Sequence, residues 1–117
     1  MTGTVPSLLS ELKRLTYLQL DINALSGTIP SALWGLTQLT TLGIGTNKLS
    51  GTIPSLLSEL TNLTHLWLGA NALAGTIPSS ALSDLDALQG LYLDNNALSG
   101  TLPSQIGLLT NLVDMCV

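Results

Sequence analysis

Apolar residues recur along this chain in one short pattern: a leucine, a second aliphatic residue three positions later, and a third two positions beyond that. The five runs begin at Leu15, Leu39, Leu63, Leu88 and Leu112, and the last one ends at Val117. The alternation at the end of each run predicts a short β-strand with one buried face. One such strand cannot bury its own leucines, so we expect the strands to stack as a parallel sheet, about 4.8 Å apart.

A second fixed point in each repeat is the tetrapeptide Gly-Thr-aliphatic-Pro. Its prolines are Pro6, Pro30, Pro54, Pro78 and Pro103, at spacings of 24, 24, 24 and 25 residues. Glycine and proline there predict a turn followed by an extended return segment. The one extra residue falls within Ser79–Ala81, on the return side, where a loop absorbs it; in a strand it would reverse the two faces. Residues 1–117 are therefore expected to form one domain of about five repeats.

Each repeat also carries an asparagine just after its predicted strand. These residues are Asn23, Asn47, Asn71 and Asn96. An inward-facing amide at a turn can hydrogen-bond backbone groups of adjacent coils that no strand satisfies. We therefore predict a structural ladder of asparagines rather than a ligand site.

The combined motif, L-x-x-L-x-L-x-x-N-x-L-S-G-x-I-P over 24 residues, resembles the plant-specific class of leucine-rich repeat found in receptor-kinase ectodomains and polygalacturonase-inhibiting proteins. The resemblance covers essentially the whole chain. It implies an α/β repeat solenoid, a right-handed coil with a parallel β-sheet on its concave face and irregular or 3-10 return segments. It also implies a non-catalytic module that binds a protein or peptide through that sheet, and favours an extracellular or membrane-anchored parent protein.

The resemblance places the residues between the inward aliphatics on the exposed concave surface. The candidate partner-binding residues there are Tyr17, Gln19, His65, Trp67, Tyr92 and Asp94. Trp67 and Tyr92 fall in one column on adjacent coils, and His65 lies beside Trp67. Exposed aromatic residues are enriched at binding hot spots. The alternative is that these rings only cover neighbouring backbone.

Four glycines share the same predicted surface: Gly43, Gly45, Gly69 and Gly90. Their lack of side chains predicts a shallow, nearly bare strip. A flat partner, a glycan or a peptide backbone could approach such a strip closely. The strip could equally belong to a stretch of repeats that binds nothing.

Composition and charge narrow the function classes. The formal net charge is −4 and only three residues are Lys or Arg, so neither nucleic acid nor an anionic membrane surface is expected as a partner. The apolar runs are too short for direct membrane insertion as a helix. His65 and Cys116 are the only His and Cys, and they are predicted to lie two coils apart, about 10 Å. We therefore expect no catalytic site, metal or cofactor.

Three further features each suggest a separate property. Asn62-Leu63-Thr64 fits an N-glycosylation sequon, which makes Asn62 a candidate acceptor in a secreted protein. Met1 is followed directly by repeat sequence, so no signal peptide is predicted. The five threonines of the Gly-Thr-aliphatic-Pro motifs form a column, and regular threonine rows are one way in which solenoids bind ice.

The ends of the chain lack the capping segments usual in plant-type arrays. Apolar residues such as Leu8, Leu12, Met115 and Val117 are therefore expected to face water. Exposed ends predict self-association or docking into a larger assembly. The alternative to a binding module is accordingly a structural accessory subunit or fragment held through these ends.

Overall fold

The computed structural model describes residues 1–117, and every repeat forms one coil with two short strands and one helical turn. The strands in chain order are β1 Thr2–Thr4, β2 Tyr17–Gln19, β3 Ala24–Thr28, β4 Thr41–Gly43, β5 Lys48–Thr52, β6 His65–Trp67, β7 Ala72–Gly75, β8 Gly90–Tyr92, β9 Ala97–Leu98 and β10 Asp114–Cys116. The return segments are the 3-10 helices Ser7–Glu11, Ser31–Gly35, Ser55–Glu59 and Ser104–Leu108, and one α-helix, α1 Ser79–Leu82. None of these helical segments is long and apolar enough to cross a bilayer.

The leucine runs form the predicted parallel sheet, in the order β10-β8-β6-β4-β2, which we call the concave sheet. Its register follows the repeat, so that Tyr17 lies opposite Thr41 and Thr41 opposite His65. Trp67 lies opposite Tyr92, which in turn lies opposite Cys116. The solenoid fold and the predicted alignment of these residues in columns are therefore confirmed, although Thr41, Gly43 and Gly90 are buried rather than exposed.

A second parallel sheet, in the order β1-β3-β5-β7-β9, was not predicted. It contains the Gly-Thr pairs of the first three repeats, which the sequence assigned to turns. Its glycines adopt positive φ, for example 78° at Gly27 and 94° at Gly51, a conformation that L-residues avoid. In this sheet a residue pairs not with its equivalent in the next repeat but with the residue two positions before that equivalent. Thr4 therefore pairs with Ser26, and Thr28 pairs with Ser50.

Between the two sheets, the repeated leucines form one continuous hydrophobic core. In the central coils Leu42, Leu66 and Leu91 are each 0% exposed. At the two ends the same packing is incomplete, because no neighbouring coil covers them in this structure: Leu12 is 49% exposed and Val117 is 56% exposed, whereas the equivalent residues Leu60 and Leu68 are 0% exposed. The expected apolar ends are therefore present in this structure.

The extra residue of the fourth spacing lies on the return side, as predicted. The other coils use a 3-10 helix there, in which Leu57 N–H donates to Pro54 O at 3.2 Å. In the longer coil the segment widens into the α-helical turn α1. Strand β8 consequently stays in register with β6, and His65 lies opposite Gly90.

The asparagines form the predicted ladder between coils. Asn71 Nδ2 donates to the carbonyl oxygens of Ile44 and Leu68 at 3.0 and 3.1 Å, and Asn71 Oδ1 accepts from Leu49 N–H at 2.9 Å. Asn47 makes the equivalent bonds one coil earlier. These side chains satisfy backbone groups at the turn that follows each strand.

Candidate functional site on the concave sheet

Three ring side chains meet on strands β6 and β8 of the concave sheet. The ring centroids of His65 and Trp67 are 5.6 Å apart at 47°, and those of Trp67 and Tyr92 are 6.3 Å apart at 45°. Tilted pairs at such distances are favourable aromatic contacts. All three side chains are half-buried, so each keeps part of its surface accessible. We call His65, Trp67 and Tyr92 the aromatic cluster.

The predicted bare glycine strip is wrong, because neighbouring side chains lean over the glycines. A Cβ atom placed on Gly90 would lie 2.9 Å from His65 Cδ2 and 3.0 Å from Tyr92 Cε2. One placed on Gly43 would overlap the Asp21 carboxylate and lie 3.0 Å from Trp67 Cε3. These glycines are needed so that the aromatic cluster and the carboxylate can lie flat on the sheet. The rings do cover backbone, as the alternative interpretation held, while keeping an exposed side.

Two carboxylates converge on the middle of the same surface from opposite sides. Asp21 reaches from the first coil over the second, where its Oδ1 accepts the Gly45 N–H at 2.6 Å. Asp94 reaches back from the fourth coil over the third, and its Oδ1 would be 2.7 Å from a Cβ on Gly69. Gly45 and Gly69 are themselves adjacent, since a Cβ on Gly45 would be 3.1 Å from Gly69 O.

The two carboxylates differ in how their remaining oxygens are satisfied. Asp94 Oδ2 accepts a hydrogen bond from Asn95 Nδ2 at 2.6 Å. Asp21 Oδ2 is buried and has no hydrogen-bond partner. A buried charged oxygen without a partner costs free energy unless a donor or cation approaches it.

The other predicted partner-binding residues lie further from the aromatic cluster. Tyr17 and Gln19 are exposed on β2, where the Tyr17 hydroxyl donates to Gln19 Oε1. Strand β4 separates them from His65 and Trp67. The structure thus brings Asp94 and the aromatic cluster together and leaves Tyr17 and Gln19 at the edge of the same sheet.

The phenol of Tyr92 is electrostatically perturbed. Its partial burial, together with the nearby Asp114 carboxylate and the Cys116 thiol, raises the pKa of Tyr92 above its ordinary value. Both neighbours come from β10, the next strand of the concave sheet. The phenol therefore stays neutral, and able to donate a hydrogen bond, throughout the physiological pH range.

The remaining reactive side chains are dispersed. His65 Nδ1 lies 3.0 Å from the Thr64 hydroxyl, and Cys116 is exposed two strands away on β10. No group of three or more His, Cys, Asp or Glu side chains is arranged to share a metal ion. The exposed Asn62 donates through Nδ2 to Thr37 O at 2.9 Å, which places the sequon on the return side of the coil.

Two features of the structure were missed by the sequence analysis. Asp21 is not among the site residues predicted from the sequence, yet its half-buried side chain bonds the second coil through the Gly45 N–H. Trp34 was not assigned a place, and the structure buries it to 2% exposure in a return helix. The neighbouring glycines Gly43 and Gly45 were the available signal for Asp21, because a side chain fills the space that a glycine leaves.

A stack of coils with one strand in each of two parallel sheets and a shared leucine core defines a repeat solenoid. Models described as leucine rich repeat match residues 37–98 and 14–36. The chain belongs to the leucine-rich repeat family. A comparison with curated proteins gives no match.

Solved structures of plant proteins are similar over nearly the whole chain. One is the plant peptide hormone receptor RGFR1 in complex with RGF2, with 45% identity, a TM-score of 0.94, and coverage of 97% of this chain and 18% of that one. Another is the ectodomain of the receptor kinase GASSHO1/SCHENGEN3 from Arabidopsis thaliana in complex with CASPARIAN STRIP INTEGRITY FACTOR 2, with 31% identity, a TM-score of 0.91, and coverage of 97% and 14%. A third is a plant ice-binding protein, with 39% identity, a TM-score of 0.85, and coverage of 91% and 34%. The chain thus spans far less than two thirds of each of these proteins.

Proposed function

We propose that this chain is a recognition module that binds a peptide or an extended protein segment on its concave sheet. The observation that carries the proposal is the aromatic cluster, which presents three tilted rings side by side on two adjacent strands. Half-buried aromatic side chains on a rigid sheet supply contact area at little cost in conformational entropy. The two receptor structures named above support it, because each is solved in complex with a second named molecule.

The anchoring residues in this proposal are Trp67 and Tyr92, with His65 and Asp94 beside them. Tyr17 and Gln19 would contact a segment long enough to cross β4. A strand spacing of about 4.8 Å puts the span from β2 to β8 at about 14 Å, which roughly four to five extended residues cover. A short linear segment is therefore sufficient to reach every predicted contact.

The proposal is tested with a phage-displayed library of random dodecapeptides panned on the purified chain. Peptides that bind the wild type are then measured against Trp67→Ala and Tyr92→Ala by isothermal titration calorimetry. We expect each variant to lose about tenfold or more in affinity, as hot-spot truncations do. Leu56→Ala, which removes an exposed apolar side chain on the return side, is the matched control and should bind as the wild type does.

The opposite outcome is equally clear. Peptides that bind Trp67→Ala and Tyr92→Ala with unchanged affinity, while circular dichroism confirms the fold of both variants, would refute a site on the concave sheet. Binding would then be assigned to the apolar ends of the solenoid, as the structural-accessory alternative predicts.

A second candidate function, ice binding, is favoured by a different surface. The threonine column on the second sheet is exposed in every coil: Thr4, Thr28, Thr52, Thr76 and Thr101. The Cγ2 methyl group of each of the first four packs against the glycine of the next coil, at 3.1 to 3.3 Å from where a Cβ would stand. This packing holds the threonines in one orientation, so their hydroxyl and methyl groups form a regular array. The similarity to a plant ice-binding protein adds support.

An ice-recrystallisation assay tests this second candidate. The wild type should slow the coarsening of ice grains, and Thr52→Lys should abolish the effect by interrupting the array at its centre. Thr61→Lys, an exposed threonine on the return side, should leave it unchanged. Normal grain growth in the presence of the wild type would dismiss ice binding.

A further inference from the structure

The concave sheet carries negative charge on both sides of its aromatic cluster and no lysine or arginine. Asp21 follows strand β2, Asp94 follows β8, and Asp114 begins β10. The three cationic side chains lie elsewhere: Lys13 and Arg14 precede β2 on the return side, and Lys48 is on β5 of the second sheet. The surface that holds the rings is therefore complementary to a positive partner.

Two of these carboxylates also place their negative charge on the same part of the concave sheet. Asp21 and Asp94 lean toward each other over the adjacent residues Gly45 and Gly69, as the Gly45 N–H bond and the close approach to Gly69 establish. No cation of this chain lies between them. Two like charges that converge over adjacent glycines repel each other unless a positive group lies close to both carboxylates.

One oxygen in this arrangement lacks a partner. Asp21 Oδ2 is buried without a hydrogen bond and lies over Gly43, where the edge of the Trp67 ring also approaches. A ligand reaches this oxygen only when the Asp21 side chain turns outward from Gly43, and a planar guanidinium can then donate to the carboxylate while it stacks on an aromatic ring. An ammonium group supplies the same charge with less directional bonding.

We propose that the segment bound by the concave sheet carries an arginine or lysine side chain, whose cation stacks on Trp67 and pairs with the carboxylates of Asp21 and Asp94. This inference rests on the proposed function and specifies the chemistry of its ligand. Tyr92, kept neutral, contributes ring surface to the same cation.

The experiment uses the peptides selected on the wild-type chain, first by their composition. We expect enrichment of Arg and Lys over the naive library and depletion of Asp and Glu. A selected peptide is then resynthesised with each arginine replaced by citrulline, which keeps the shape and removes the charge. Its affinity for the wild type should fall about tenfold, the range for losing a hydrogen bond between charged groups.

Paired charge variants locate the effect on the protein. Asp21→Asn with Asp94→Asn should weaken the arginine peptide about tenfold or more and flatten the dependence of its affinity on salt. The control pair, Asp84→Asn with Asp86→Asn, removes the same net charge from exposed return-side positions and should change neither quantity. Because Asp21 also holds the Gly45 N–H, the pair Asp94→Asn with Asp114→Asn provides a second test that leaves this bond intact.

Three outcomes separate the two proposals. Cationic peptides that depend on both Trp67 and the carboxylates support the inference. Peptides that depend on Trp67 but are neutral or acidic, or that bind the asparagine pairs unchanged, overturn the cationic ligand and leave the recognition module standing. If no selected peptide depends on Trp67, both proposals fail.

Discussion

Replacing Asn71 by alanine should destabilise the solenoid more than the same replacement at Asn23, because Asn71 bonds backbone groups of the preceding coil, whereas the only contact of Asn23 beyond its own coil is the exposed terminal ammonium of Met1. Asn71 Oδ1 accepts the Leu49 N–H, and its Nδ2 donates to carbonyl oxygens on its own coil and on the preceding one. Asn23 Nδ2 donates only within the first coil, to Leu20 O at 2.9 Å and to Asp21 O at 3.0 Å, and its Oδ1 accepts from the terminal ammonium of Met1 at 2.5 Å rather than from a backbone N–H.

The magnitude follows from what each replacement leaves without a partner. In Asn71→Ala the Leu49 N–H loses the side-chain oxygen it donates to, which costs about 1–3 kcal/mol. The Ile44 and Leu68 carbonyls keep one amide each, from Asn47 and from Asn96, so each loses only about 0.5–1.5 kcal/mol. The expected total is about 3 kcal/mol at Asn71.

For Asn23→Ala, the Leu20 carbonyl retains its bond from Asn47 at 3.0 Å, and the exposed Met1 ammonium can bond water instead of Asn23 Oδ1, so the expected loss is about 1 kcal/mol. Urea unfolding followed by far-ultraviolet circular dichroism measures both values through the midpoint and slope of the transition. Equal losses at the two positions would refute the reasoning, because they would mean that the bonds between coils add nothing to the bonds within a coil.

Three further changes probe the concave sheet and its turns. Gly43→Ala should displace the Asp21 carboxylate and lower the free energy of unfolding by about 1–3 kcal/mol in the same urea assay. Ile22→Asn should raise it by about 1 kcal/mol, because Ile22 is 80% exposed and has a φ of 56°, which asparagine tolerates better than a β-branched residue. Asp114→Asn should lower the pKa of Tyr92, measured from tyrosinate absorbance during an alkaline titration. Because the pKa of Tyr92 is raised in the folded state, the neutral phenol contributes to stability below about pH 10, and this contribution is lost as the pH rises through the folded-state pKa. Asp114→Asn should therefore reduce the loss of stability at alkaline pH.

Each of these changes has a matched control. A Cβ on Gly35 would meet nothing within 4 Å, so Gly35→Ala should not produce the loss expected from Gly43→Ala. Asn95 already occupies the positive-φ position of the fourth coil, with φ of 54°. Asn95→Ile should therefore lower the free energy of unfolding by about as much as Ile22→Asn raises it. Asp86→Asn removes an equal charge from an exposed return-side position that does not contribute to the raised pKa of Tyr92, and should leave the Tyr92 titration unchanged. A shift of the same size with Asp86→Asn would contradict the assignment to Asp114.

The sequence predicted what every repeat shares, because repetition makes a pattern visible. The leucine columns, the asparagine ladder and the tolerated insertion within Ser79–Ala81 all depend on positions that recur each coil. The second sheet was missed because a Gly-Thr pair contributes too few residues to display a strand alternation, and glycine at positive φ is the usual sign of a turn.

Features that depend on contact between different coils were harder to predict. The glycine strip was predicted to be bare because each column was considered along the sheet, without the lean of side chains onto neighbouring strands. Asp21 covers a glycine of the following coil, whereas Asp94 covers one of the preceding coil. Such directions arise from side-chain rotamers and local backbone, and spacing alone does not encode them.

The two candidate functions place opposite demands on a repeat protein, and the proposals place them on different sheets. A periodic ligand such as an ice surface requires the same side chain in every coil, and the threonine column of the second sheet repeats without exception. A peptide is not periodic, so its site must consist of positions that differ between coils, as the His65, Trp67 and Tyr92 positions do. Most of the stability comes from neither set, because the core leucines and ladder asparagines lie between the sheets or at the turns. Each surface can therefore change independently of the other, so loss of peptide binding on substitution of Trp67 should leave any effect on ice unaltered, and substitution of Thr52 should leave peptide binding unaltered.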